Sequence, residues 1–155
     1  MMDIADLITP RSVVAQLRAA SKRQALQELA KRAAAITGIQ ERTMLDVLTE
    51  RERLGSTGIG RGIGIPHGKL PGLDRLCGIF ARLERPIPFE AIDDQPVDLI
   101  FVLLAPESAG ADHLKALARV SRLLRDRGMC DKLRGTDNPD ALFALLTDVT
   151  ASDAA

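Results

Sequence analysis

The chain has 155 residues, enough for one domain whose core needs neither disulfides nor metal. Lysine plus arginine and aspartate plus glutamate both number 21, so the net charge is zero. That balance excludes the basic excess of a dedicated nucleic-acid binder, though not a local basic patch. The hydrophobic share of 46% is that of a globular chain.

The amino terminus, MMDIADLITP, has no basic stretch ahead of a long apolar one, so no signal peptide is expected. Residues 12–17 (SVVAQL) read as a short strand. Ser21-Lys22-Arg23-Gln24 then fits a capping box, with Ser21 accepting from the backbone and Gln24 reaching back. Apolar residues at Ala25, Leu26, Leu29, Ala33 and Ile36 predict the helix that follows, and Gly38 its end. A second helix is expected from about Glu41 to Leu54, with Met44, Leu45, Val47 and Leu48 inward and Gly55 as the stop.

Residues 55–68 (GSTGIGRGIGIPHG) hold six glycines in fourteen positions. Ile63 and Ile65 alternate with Gly62 and Gly64, which predicts a short strand with one bare face. Pro66 ends that strand and His67 stands at its mouth. Residues 77–83 (CGIFARL) read as a strand, broken afterwards by Pro86 and Pro88. Residues 97–105 (VDLIFVLLA) form a continuous apolar run, expected as a central strand buried on both faces and stopped by Pro106. The run through Pro106 is too short to span a bilayer, so no membrane insertion is expected.

A long helix is predicted from about Asp112 to Arg127, with Leu114, Leu117, Ser121 and Leu124 on its inward stripe. Asn138-Pro139 starts the last helix, a capping asparagine followed by proline at the first helical position. Leu142, Leu145 and Leu146 face its core, and residues 151–155 are expected as a frayed tail. Strands and helices mix along the chain. The expected class is therefore α/β, a single domain over 1–150 with a central sheet of about five strands and helices on both faces.

Chemistry concentrates at the two histidines. Pro66 stiffens the approach to His67 and Gly68 lets another backbone come close. A neutral imidazole on that rigid support is a good nucleophile near neutral pH. A turn histidine making ordinary hydrogen bonds fits the same residues, and the sequence by itself leaves both readings open. His113 falls in the first turn of the predicted long helix. It can orient a second imidazole or donate to a phosphate there, or simply be a partly exposed helix residue.

Arg51-Glu52-Arg53 reads as a solvated helix end, or as an arginine reaching a phosphoryl group. Ser56 and Thr57 offer further donors. Asp93, Asp94 and Asp98 read as loop and strand-start carboxylates. The glycines fit no nucleotide motif: Ile63 or Ile65 occupies the third glycine position of G-x-G-x-x-G, and Leu70 follows Gly68-Lys69 where a phosphate loop needs Ser or Thr. Two distant histidines without a cysteine pair make no recognisable zinc site, so neither metal nor cofactor is expected. Cys77 and Cys130 read as buried free thiols in a reducing compartment, hence the cytoplasm.

Residues 51–60 (RERLGSTGIG) and 62–69 (GIGIPHGK) closely resemble the active-site segment of the nitrogen-regulatory enzyme IIA proteins. These belong to the fructose/mannitol-type IIA family of the phosphotransferase system. Two further blocks match, residues 91–99 (AIDDQPVDL) and 113–117 (HLKAL), in the family's order over almost the whole chain. The resemblance implies a mixed sheet between helices and a phosphoryl group accepted on His67 from an HPr-like carrier. It places His113 close by and an arginine on the phosphoryl group, Arg51 with Arg53 as the alternative. Ser56, Thr57 and Gly68 would support the phosphate.

The chain departs from the pattern at Arg61, where some mannitol-type members carry glutamate, and at Gly64, where alanine is frequent. The arginine implies a more positive rim. A stand-alone regulator of other proteins, with family precedent in potassium transport and nitrogen or carbon metabolism, is the first expectation. A sugar-specific IIA passing phosphate to a IIB partner is the second, and a binding module never phosphorylated on His67 is the third.

Overall fold

The computed structural model describes residues 3–154, with only the backbone described from 148 onward. After two short 3-10 turns, Ile4–Asp6 and Pro10–Ser12, the chain runs β1 (Val13–Leu17), α1 (Lys22–Thr37) and α2 (Glu41–Arg53). Then come β2 (Gly58–Gly60), β3 (Ile63–Gly64), β4 (His67–Leu70), β5 (Cys77–Ile87) and β6 (Val97–Pro106). Helices α3 (Ala111–Arg125), α4 (Arg127–Arg134) and α5 (Pro139–Ala154) complete it. The expected tail at 151–155 lies beyond the residues whose side chains are described.

The sheet is mixed and has six strands, in the order β1-β5-β6-β3-β2, with β4 also paired to β6. β6 is its centre, antiparallel to β5 and parallel to β3 and β4. Its side chains alternate between two cores. Ile100, Val102 and Leu104 pack with residues of α1 and α2, whereas Leu99, Phe101 and Leu103 pack with residues of α3, α4 and α5. The α/β reading with helices on both faces is what the molecule shows.

The strand expected to end at Pro66 continues beyond it. Ile63 pairs with Leu99 and Gly64 with Ile100; after Pro66, His67 pairs with Leu103 in the same register. Proline has no N–H to donate, so the ladder breaks there. Its carbonyl still accepts from the Leu103 N–H at 2.9 Å and holds the line straight. His67 thus begins a paired strand rather than hanging from a strand end.

Pro86 likewise does not stop β5, which runs to Ile87. The pairing with β6 shifts register between Arg82 and Ile87, the kind of irregularity that accommodates a proline.

Helix starts follow the local chemistry. The Ser21 hydroxyl accepts from the Gln24 N–H at 3.2 Å, while Gln24 reaches back one residue further than expected, to the Ala20 N–H at 2.7 Å. Gly38 closes α1 with φ 78°. Asn138 Oδ1 accepts from the Ala141 N–H at 3.0 Å. Replacing Asn138 by alanine is expected to cost about 1 kcal/mol in a urea melt, with no change at the site described below.

The inward face of α3 differs from expectation. His113, Ala116, Val120, Leu123 and Leu124 are buried, and Leu114 is 69% exposed. Both stripes have helical spacing, one residue out of phase. Leu124 is buried as expected and Leu117 packs against the core in part, but the small Ala116 and Val120 take the central positions that let the helix lie close on the sheet. The helix also ends earlier than expected. Asp126 adopts an extended conformation and caps α4, accepting from the Met129 N–H at 3.0 Å. Both cysteines are free and buried, and no helix among the described residues is long and apolar enough to cross a membrane.

Candidate functional site

Strand alternation builds the site. Ile63 and Ile65 point into the core under α3, and His67 continues that series towards His113. The two imidazoles stand edge to face, with centroids 5.8 Å apart and planes at 67°. The alternate series points to α2, and there Gly68 is decisive. A Cβ at Gly68 would collide with Val47 Cγ1, so α2 rests directly on the β4 backbone. Arg51 follows Val47 by one helical turn on the same face. Because β2 pairs with β3 alone, nothing in the sheet covers the outer edge of β4, and Arg51 reaches round it.

Two hydrogen bonds define the His67 tautomer. Nδ1 lies 2.8 Å from the Ile65 carbonyl oxygen, which only accepts, so Nδ1 carries the proton. Arg51 Nε donates to His67 Nε2 at 3.3 Å, which requires a lone pair on Nε2. Arg51 is itself held by the Gly55 carbonyl, to which Nη1 donates at 2.9 Å. The ring is fixed as a neutral imidazole with Nε2 beside a guanidinium.

The electrostatics agree. Burial pulls the His67 pKa below its usual 6.5, the Ile65 carbonyl opposes that, the Arg51 charge lowers it further and Glu52 raises it. Burial also lowers the His113 pKa, with the charges of His67 and Lys69 adding to it. His113 Nε2 is buried without a hydrogen-bond partner, the only such side-chain atom among the described residues. A group arriving at His67 would offer it one.

These depressed values have a sign. Below about pH 6.5 the unfolded chain protonates both imidazoles more readily than the native one, so unfolding takes up protons and stability is lost as the pH falls. The urea midpoint is expected to be lower at about pH 5.5 than at about pH 7.5, with a smaller drop in His113→Gln.

The side chains of the remaining site candidates are engaged in other contacts. Arg53 is 70% exposed and donates to Glu50 at 2.6 Å, away from His67. Ser56 Oγ donates to the Phe89 carbonyl at 2.8 Å and accepts from the Gly58 N–H at 3.0 Å. The buried Thr57 hydroxyl donates to Glu52 Oε1. These hydroxyls shape the loop, and Gly68 seats α2.

Glu52 was missed by the sequence reading. Its side chain is 6% exposed, accepts from Lys22 Nζ at 2.7 Å and receives the Thr57 N–H at 3.2 Å. It ties the end of α2 to the start of α1 and to the loop that carries Gly55. Arg61, expected on the site rim, lies elsewhere. The Gly62 carbonyl beside it accepts from Asp98 and Leu99, whereas His67 pairs with Leu103, about 15 Å along β6 at strand rise.

A neutral imidazole whose unprotonated ring nitrogen faces an arginine, on a mixed sheet between helices, has the chemistry of an activated nucleophile. The chain belongs to the EIIA 2 family of the phosphoenolpyruvate-dependent sugar phosphotransferase system, whose sequence model matches residues 6–149. It is 56% identical over 145 residues to a nitrogen regulatory protein of Bradyrhizobium diazoefficiens, covering 94% of this chain and 95% of that one. A fructose-specific EIIA component of Haloferax volcanii is 35% identical over 152 residues, covering 96% and 99%. The crystal structure of the nitrogen regulatory protein IIA-Ntr from Neisseria meningitidis superposes with a TM-score of 0.87 at 30% identity, covering 93% of this chain and 98% of that one.

Proposed function

We propose that this protein carries a phosphoryl group on Nε2 of His67, taken from a phosphohistidine on an HPr-like carrier. Its phosphorylation state then regulates partner proteins in the cytoplasm, in the range of potassium transport and nitrogen or carbon metabolism. The observation that carries this reading is the fixed tautomer, with an unprotonated Nε2 that accepts from the Arg51 guanidinium.

The chemistry follows from that geometry. Nε2 attacks phosphorus in line as the donor's P–N bond breaks, and the electron pair of that bond returns to the donor ring. His67 keeps its Nδ1 proton, and the Ile65 carbonyl supports the positive charge that develops on the ring. The transferred group is nearly metaphosphate-like, so positioning and charge stabilisation dominate. Arg51 supplies a forked donor to its oxygens and the unpartnered His113 a second one. Leu54 is 85% exposed just past Arg51, and exposed Leu114 directly follows His113. Apolar side chains beside the nucleophile suit a protein donor.

The 56% identity to a nitrogen regulatory protein favours the regulatory role. The fructose-specific relative keeps a second reading, transfer onward to a sugar-type IIB. The test is phosphoryl uptake from phosphoenolpyruvate through enzyme I and the HPr-like carrier, read by intact mass and mapped by peptide. An acid-labile adduct on the peptide holding His67 is expected. No adduct, with donors active on a control IIA, would leave a binding module. Rapid loss of the adduct to a fructose-type IIB would favour the sugar relay.

A further inference from the structure

The chain is neutral overall, yet residues 119–134 carry six basic side chains against two acidic ones. The break between α3 and α4 turns two of these, Arg125 and Arg127, to a cavity of about 390 Å³. Arg61 faces them from the β2–β3 turn, Cys130 lies behind, and Asp131 is the one acidic residue of the lining.

Arg134, also in the wall, is engaged by protein groups. Its Nε and Nη2 bind Asp98 at 2.8 and 2.9 Å, and Nη2 also donates to the Arg61 carbonyl at 2.8 Å. By contrast, the guanidinium groups of Arg61, Arg125 and Arg127 make no hydrogen bond or ion pair among the described residues. Three exposed guanidinium groups with no protein partner line one cavity, which gives its wall a surplus of forked donors.

Arg61 adds an independent sign. It holds φ 58°, a left-handed backbone that favours glycine. Both its backbone groups are pinned there, the N–H donating to Asp93 Oδ2 at 2.8 Å and the carbonyl accepting from Arg134. Glycine would fit this turn at lower cost, as it does on either side at Gly60 and Gly62. The turn instead presents a rigidly based arginine to the cavity. Strain of this kind is typical of ligand-binding turns.

We propose that this cavity binds a small anion of the diphosphate class, free or as part of a nucleotide. Three forked donors exceed the needs of one phosphate, and the volume lies within the range of small-ligand sites. The site is separate from His67 and does not depend on the phosphoryl-carrier reading.

Isothermal titration of the full chain with inorganic pyrophosphate tests this, with orthophosphate, AMP and ADP in parallel arms. Pyrophosphate is expected to bind at least tenfold tighter than orthophosphate. Arg61→Ala and Arg127→Ala should each weaken it tenfold or more, and Arg122→Ala, which removes a charge from the same basic segment outside the cavity, should leave it unchanged. ADP binding tighter than pyrophosphate assigns a nucleotide; equal binding, or pyrophosphate ahead, assigns the diphosphate alone. Failure of pyrophosphate to bind at millimolar concentration overturns the site. So does equal loss in Arg122→Ala, parity with orthophosphate, or wild-type binding by Arg61→Ala and Arg127→Ala.

Discussion

Replacing His67 with alanine is expected to give a folded protein that takes up no phosphoryl group from the carrier. The ring is part-buried at the start of β4, and its hydrogen bonds go to Ile65 and Arg51 alone. Its loss leaves the ladder to β6 intact, since those bonds are made by the backbone. His113 cannot substitute as acceptor. It lies on another element, its ring is buried, and no arginine stands at its Nε2. His113→Ala should still be phosphorylated at His67, more slowly by about 10²-fold, the usual effect of removing one donor from a developing charge. Arg51→Lys should recover only part of the loss seen in Arg51→Ala, because a point charge replaces a fork braced on the Gly55 carbonyl. Quench-flow with intact-mass detection separates these cases. An adduct on His67→Ala would move the acceptor elsewhere and end the present reading.

How much of this was legible beforehand depends on the range of the interaction involved. Residues 62–69 announced a rigid strand carrying His67, because proline and glycine act on their own backbone. The capping residues Ser21 and Asn138 were legible for the same reason. The continuation of the β3 line past Pro66 into β4 was not, because it depends on a Leu103 N–H that approaches from a distant strand. The register of α3 failed for a related reason. Leucines were taken for the inward stripe, but closeness to the sheet selected Ala116 and Val120, and only the fold reveals that distance. Arg51 and Arg53 differ by about 200° round a helix, and sequence could not say which side meets β4. Gly68 decides it by admitting Val47. Glu52 was hidden between two arginines at what reads as a solvated helix end, and its burial follows from Lys22 and Thr57 converging on it from elsewhere.

That burial makes Glu52 a position outside the apolar core whose loss is expected to lower stability and uptake together. Its carboxylate neutralises Lys22, whose ammonium also sits 4.7 Å over the Phe89 ring, and it receives the Thr57 N–H and hydroxyl. In Glu52→Ala the ammonium keeps only exposed Glu90, at 3.7 Å, and the Thr57 N–H loses its acceptor. Breaking a buried pair from one side typically costs about 3–5 kcal/mol, so the urea midpoint should fall clearly. The effect should also reach the nucleophile. Without Glu52 the loop after α2 is no longer tied at Thr57, the Gly55 carbonyl drifts, and Arg51 loses the brace that aims it at His67. Slower phosphoryl uptake is therefore expected even at temperatures where the variant is folded. A general loss of stability would not predict that, and comparison with Asn138→Ala, destabilised far from the site, separates the two. Lys22→Met, Glu52→Gln and the two combined make a double-mutant cycle. If the pair is coupled as drawn, the double variant should be more stable than the sum of the single losses, because no charge is left buried alone. Additive losses would mean that Glu52 and Lys22 act independently and that the loop is held by Thr57 alone.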